Sequence, residues 1–193
     1  MLSTKLEYQE PAASIPSIDM AARQLPLQHS YRSTPEKAWI TDRAKTSSKQ
    51  VGPEQPLYGT VTLDGGRPTD VTYGVHKAVG GEGDYPVPGE LLCAALASCL
   101  DSTIRIIANR LGIGLQLLEV SAQGEVDVRG TLLVDREVAV GFQKFAVGVR
   151  IDALGKVENR KIELLLRAAE HSCVVIQTLR AGTEVSVERI VES

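Results

Sequence analysis

From Leu91 to Leu100 the chain carries no charge, and besides two cysteines its only polar side chain is Ser98. A helix over this stretch would be apolar around its whole circumference, which predicts burial on every side. Ala94, Ala95, Ala97, Ser98 and Cys99 are small and let neighbouring backbones approach, while Leu91, Leu92, Leu96 and Leu100 supply packing volume. Pro88 and Gly89 suit the start of such a helix, and Glu90 in its first turn favours the helix dipole. The pattern turns amphipathic from Asp101 to Leu111, with Asp101 and Arg105 spaced as an i,i+4 pair, and Gly112 stops it. At 1.5 Å per residue this helix spans roughly 33 Å, the width of a small domain.

The segments around it read as strands and shorter helices. Residues 1 to about 50 are rich in Ser, Thr, Gln and Pro and form an arm, with one short helix expected from Thr34 to about Lys45 and with Trp39 as its anchor on another surface. Residues 51–193 form the domain. Leu57–Leu63 and Thr69–Val75 alternate as strands around the turn Asp64–Pro68, and a Gly- and Pro-rich loop delivers the chain to Pro88. Two longer strands follow, Leu115 to Arg129 and Glu137 to Ile151, joined as a hairpin through Gly130–Asp135. Helical spacing returns from Asn159 to His171 and from Cys173 to Arg180, and Thr183–Ile190 alternates as a closing strand. The order β, β, long helix, β, β, helix, helix, β predicts an α+β fold with a mainly antiparallel sheet wrapped around the long central helix.

Composition narrows the function classes. A hydrophobic share of 43%, 23% charged residues and a net charge of −3 over 193 residues are ordinary for one globular domain with an appendage. No run of like charges marks a nucleic-acid or anionic-membrane surface. The N-terminal residues are charged where a signal peptide needs an apolar run, and no segment is expected to reach the roughly 20 apolar residues of a membrane span, so the chain is expected in the cytoplasm. Three cysteines, Cys93, Cys99 and Cys173, form no disulfide framework and no zinc half-site, and His171 with Cys173 finds no third ligand of suitable spacing. No metal is expected.

Cys99 lies one position before the charge-free run ends, where the buried helix first meets polar surroundings. A cysteine in a core is often only a small hydrophobe, and Cys93, on a different helical face, is read that way. Cys173 precedes a short helical segment whose free N–H groups favour a thiolate, with His171 and Arg180 near in sequence. Two thiols on two core segments suit a redox pair, in which one attacks a peroxide, becomes a sulfenic acid and condenses with the other.

The segment Pro88-Gly-Glu-Leu-Leu-Cys-Ala-Ala-Leu-Ala-Ser-Cys99, with Ala169-Glu-His-Ser-Cys173 and Thr178–Thr183, resembles the OsmC/Ohr family of organic hydroperoxide reductases over about Leu57 to Ile190. The resemblance implies the OsmC-like fold, an intertwined homodimer, and a thiol peroxidase that takes an organic hydroperoxide as substrate and an external dithiol as reductant, without metal, haem or flavin. Cys99 matches the peroxidatic position and Cys173 the resolving one. Family members use an Arg and a Glu to hold the thiolate, and Arg67 in Asp64-Gly-Gly-Arg67 matches the arginine. The acid is displaced: Gly89 stands where the peroxidase branches place Glu, and Glu90 follows it, about 100° further round the helix. Val174 stands where many members have Pro, and His76 or Lys77 is the substitute cation if Arg67 is not aimed at Cys99. Leu96, Leu100 and Ile176 are the expected walls of an apolar pocket. The rival reading is an OsmC-like dimer that has lost the chemistry and binds an apolar ligand or partner.

Overall fold

The computed structural model describes residues 18–190; residues 1–17 of the arm lie outside them. The long helix, α2 (Pro88–Arg110), starts and stops where the sequence places its signals. Pro88 occupies the first helical position, and the Glu90 carboxylate turns back to accept the Val87 backbone N–H at 3.0 Å, satisfying one of the donors a helix start leaves open. Gly112 adopts φ +67° just past the last turn, and the Ile113 N–H reaches the Ala108 carbonyl across it. Asp101 and Arg105 form the expected pair, with Arg105 Nε donating at 2.6 Å.

The two long strands, β4 (Leu115–Val126) and β5 (Phe142–Ala153), pair antiparallel and cover one side of α2. Leu118 faces Ile151 and Val120 faces Val149 in register, and these side chains pack on a core built from Leu100, Ile104 and Ala108 of α2 with Leu165, Ala169 and Cys173. Leu165 and Ala169 lie four apart on α4 (Asn159–Ser172), so one stripe of that amphipathic helix meets one stripe of α2. A short helix, α5 (Val174–Ala181), follows with only Cys173 between them.

The remaining three strands form a separate sheet. β1 (Ala44–Thr46), β2 (Tyr58–Leu63) and β3 (Thr69–Gly74) pair antiparallel in that order. The Gly74 N–H donates to the Pro86 carbonyl, which ties one end of this sheet to the approach to α2. None of its residues belongs to the core cluster.

Six expectations from the sequence change. α2 is not buried on every side: Leu96, Leu100, Ile104 and Ala108 form a single buried stripe, while Ala94, Ala95 and Ser98 are exposed, because β4 and α4 cover only one face within one chain. With 23 residues it is also long and apolar enough to cross a membrane, contrary to expectation, yet its packed stripe makes it a core helix. The hairpin through Gly130–Asp135 is instead the short helix α3 (Val128–Thr131) and a loop: Asp127 caps the helix by accepting the Arg129 N–H, and Gly141 at φ +120° admits the chain to β5.

The arm differs too. No helix runs from Thr34 to Lys45; one 3-10 turn at Pro35–Ala38 gives way to extended chain and β1. A full helix, α1 (Met20–Ser33), precedes it, capped by Asp19, whose carboxylate accepts the Ala22 N–H at 3.0 Å, and it tolerates Pro26 inside. Trp39, 87% exposed, does not anchor the arm to any of the described residues. Last, Thr183–Ile190 forms no strand: Val185, Val187 and Ile190 are 83%, 93% and 90% exposed, since an alternating segment becomes a strand only when it finds an edge to pair with.

Candidate functional site

The junction between α4 and α5 positions the first thiol. Cys173 closes α4 and opens α5 in extended conformation (φ −75°, ψ 110°), which aims its side chain inward, and it is fully buried. The N–H groups of Ile176 and Val175 at the start of α5 point at its sulfur. Cys99 approaches from α2, half-buried and packed on the same cluster, and the two thiols, both reduced, interact directly.

Burial pushes the Cys173 thiol up, the N–H groups of Ile176 and Val175 only partly offset it, and its hydrogen bond and charge interaction with Cys99 raise it further. The sequence argument that the helix start favours a Cys173 thiolate is therefore reversed by desolvation, the largest of these effects. Of the two sulfurs, Cys173 is the one held protonated and shielded, and Cys99 the one with access to solvent.

Against the same cluster lies a cavity of about 490 Å³ between α2, β5, α4 and α5, but neither Cys99 nor Cys173 lines it, so the expected opening of the thiol into this pocket is not seen within one chain. Leu96, Leu100 and Ile176 line it with Phe145, Val147 and Leu166. Its charged wall is Glu170 and Arg180, which form an ion pair through Arg180 Nη2 and Glu170 Oε1. Glu170 was not singled out by the sequence, and Arg180 only as a neighbour of Cys173; the reversal of the chain at Cys173, which brings α5 back beside α4, is the signal that pairs them.

The other candidates stand elsewhere within one chain. Arg67 lies in the exposed turn between β2 and β3 and does not line the cavity. Glu90 is engaged at the helix start, nine residues before Cys99 and hence about 14 Å away along the axis. His76 accepts the Ala78 N–H on Nδ1 at 2.9 Å and, with Glu90 and Cys93, borders a second and larger open groove of about 1210 Å³ along the first turns of α2; Lys77 packs beside Gly83. Cys93 is half-buried on that face and so is not core packing within one chain. Among the described residues no cluster of His, Cys, Asp and Glu is placed to hold a metal ion.

A thiol pair, one sulfur buried and one half-buried, between a long central helix and a C-terminal helix pair, under an antiparallel sheet, defines an α+β protein of the OsmC type, and comparison with known proteins agrees. Residues 81–188 match the OsmC-like protein family, and the chain belongs to it. An uncharacterized protein of Mycobacterium tuberculosis is 33% identical over 124 residues, covering 61% of this chain and 82% of that relative. Among solved structures, the OsmC-like protein of Mycoplasma pneumoniae superposes with a TM-score of 0.57 at 14% identity, covering 74% of this chain and 89% of that one. An organic hydroperoxide resistance protein of Legionella pneumophila gives 0.52 at 24% identity (73% and 90% covered), and one of Elizabethkingia anophelis 0.54 at 20% (75% and 91%). These likenesses establish the fold.

Proposed function

We propose that the chain is a thiol peroxidase that reduces organic hydroperoxides as a homodimer. The supporting observation is that Cys99 and Cys173, brought from distant parts of the sequence, meet in the core beside an apolar cavity, one sulfur accessible and the other shielded. The names of the Legionella and Elizabethkingia structures support the substrate class.

In this reading the Cys99 thiolate attacks the terminal oxygen of the hydroperoxide; the O–O bond breaks, the alkoxide leaves and takes a proton from solvent, and Cys99 becomes a sulfenic acid. The Cys173 sulfur then attacks the Cys99 sulfur, its proton departing with the hydroxyl as water, and a disulfide forms. An external dithiol returns both sulfurs to the thiol state by exchange. A second copy of the chain supplies what one chain lacks near Cys99: Glu90 cannot reach the sulfur of its own helix over about 14 Å, but the partner's first turn can where two α2 helices cross.

The test is stoichiometric treatment with cumene hydroperoxide. Two thiols per chain should disappear, and Cys99→Ser should abolish the loss; unchanged thiols in the native protein would refute the reading. The alternative, a dimer that binds an apolar ligand without turnover, is favoured by the absence of Arg67 and Glu90 from the cavity. It would leave both thiols untouched by hydroperoxide.

A further inference from the structure

We propose that Gln177 is a positioning residue: from α5 it locks the reversal of the chain at Cys173 and so holds that sulfur within bonding reach of Cys99, with the ion pair of Arg180 and Glu170 acting beside it. The inference deepens the peroxidase reading, resting on its claim that these two thiols join, and assigns the contacts that set how readily they do.

α4 ends at Ser172, and the last four carbonyls of a helix have no partner inside it. One of them, the Glu170 carbonyl, accepts from Gln177 Nε2 at 3.0 Å. The side chain of the same Glu170 accepts from Arg180 Nη2. Gln177 and Arg180 lie three apart on α5, so both ties run from one face of that helix to a single residue of α4. The Gln177 backbone N–H donates in turn to the Cys173 carbonyl at 3.0 Å, the bond that opens α5.

The covalent chain does not fix Cys173 by itself. With helical angles at this one residue, α4 and α5 would run on as a single helix; Cys173 is instead extended, at φ −75° and ψ 110°. A proline at the next position would exclude helical angles by sterics, but that position holds Val174, which is 71% exposed. The ties to Glu170 supply the restraint. In a continuous helix Gln177 would stand about 10 Å and Arg180 about 15 Å along the axis from Glu170, whose carbonyl would already be bonded to the Val174 N–H. Both ties therefore exist only while Cys173 is extended and its sulfur faces inward.

Closure forms the S–S bond as the Cys173 sulfur displaces hydroxide from the Cys99 sulfenic acid, the Cys173 proton leaving with it as water. In a glutathione buffer the same bond forms while oxidised glutathione takes up the two electrons and both protons to give two reduced molecules. Equilibration in such a buffer reads the effective concentration of the two thiols for each other without a hydroperoxide. Gln177→Ala removes one uncharged hydrogen bond, keeps a strong helix former in α5 and leaves the cavity lining intact, and it should lower that effective concentration roughly two- to tenfold. Adding Arg180→Ala should lower it further. Val174→Pro in the Gln177→Ala background should restore it, because the ring imposes by sterics what the side chain imposed by hydrogen bonding. With cumene hydroperoxide, Gln177→Ala should leave more sulfenic acid for dimedone to trap, and the proline should reverse that.

An unchanged effective concentration in Gln177→Ala overturns the assignment. So does a lowered one that the proline leaves low, since it marks lost α5 packing rather than lost geometry at Cys173. Native thiols that ignore hydroperoxide yet join in the glutathione buffer, with the loss and its rescue intact, uphold the positioning and refute the peroxidase; thiols that join under neither condition overturn both.

Discussion

Truncating Ile104 and truncating Leu96 remove the same number of carbons from α2, yet they should cost different amounts. Ile104 is fully buried in the cluster of Leu100, Ala108, Leu165 and Cys173 and lines neither of the two cavities described above. Its Ile104→Ala variant loses about 0.8 kcal/mol for each of the three carbons and leaves a new void in close-packed surroundings, so about 4 kcal/mol is expected. Leu96 is 1% exposed but forms a wall of the 490 Å³ cavity, so its side chain already lacks partners on one side. Leu96→Ala merges with existing space and should cost about 2 to 3 kcal/mol, near the transfer contribution alone. Urea titrations at fixed protein concentration would read the difference as unequal midpoints with an unchanged slope. Leu96→Ala should also improve turnover of bulkier hydroperoxides relative to small ones, and Ile104→Ala should not. Equal costs, or a larger one for Leu96, would refute the assignment of Leu96 to a cavity wall.

Further outcomes follow from other contacts. Because burial raises the Cys173 thiol above its ordinary value of 9.0, the protonated form carries the stability: the contribution is complete below that pH and is lost as pH rises through the folded value. Melting temperature should therefore fall above about pH 9, and Cys173→Ala should remove that slope; a fall of the same size in the variant would show another group responsible. Asn109→Ala should release the arm, so that trypsin cuts at Arg23 and Arg32 sooner while unfolding of the core changes by less than about 1 kcal/mol. Gly112→Ala places a side chain at φ +67° and should cost about 1 kcal/mol in a denaturant titration. Arg105→Ala loses an exposed i,i+4 pair and should cost no more than about 0.5 kcal/mol, less in high salt.

The chain itself determined what local chemistry can determine. Pro88 and Gly112 bound α2, the alternation of Leu118, Val120, Val149 and Ile151 specifies two strands with one buried face, and Leu165 with Ala169 marks the inner stripe of α4. Each signal acts within a few residues, through backbone geometry or side-chain period, and needs no knowledge of what lies opposite. The helix at Met20–Ser33 is hidden in the sequence because Pro26 reads as a helix breaker, although Asp19 carries its capping signal. Only the tertiary structure decided the relations across the chain. It covered one face of α2 and left the other open, put Arg67 and Glu90 out of reach of Cys99, left Val185 and Val187 without an edge to pair, and joined Arg180 to Glu170. It also reversed the expected charge preference of Cys173, because desolvation depends on everything packed around a sulfur, whereas the helix start that favours its thiolate is visible in eight residues of sequence.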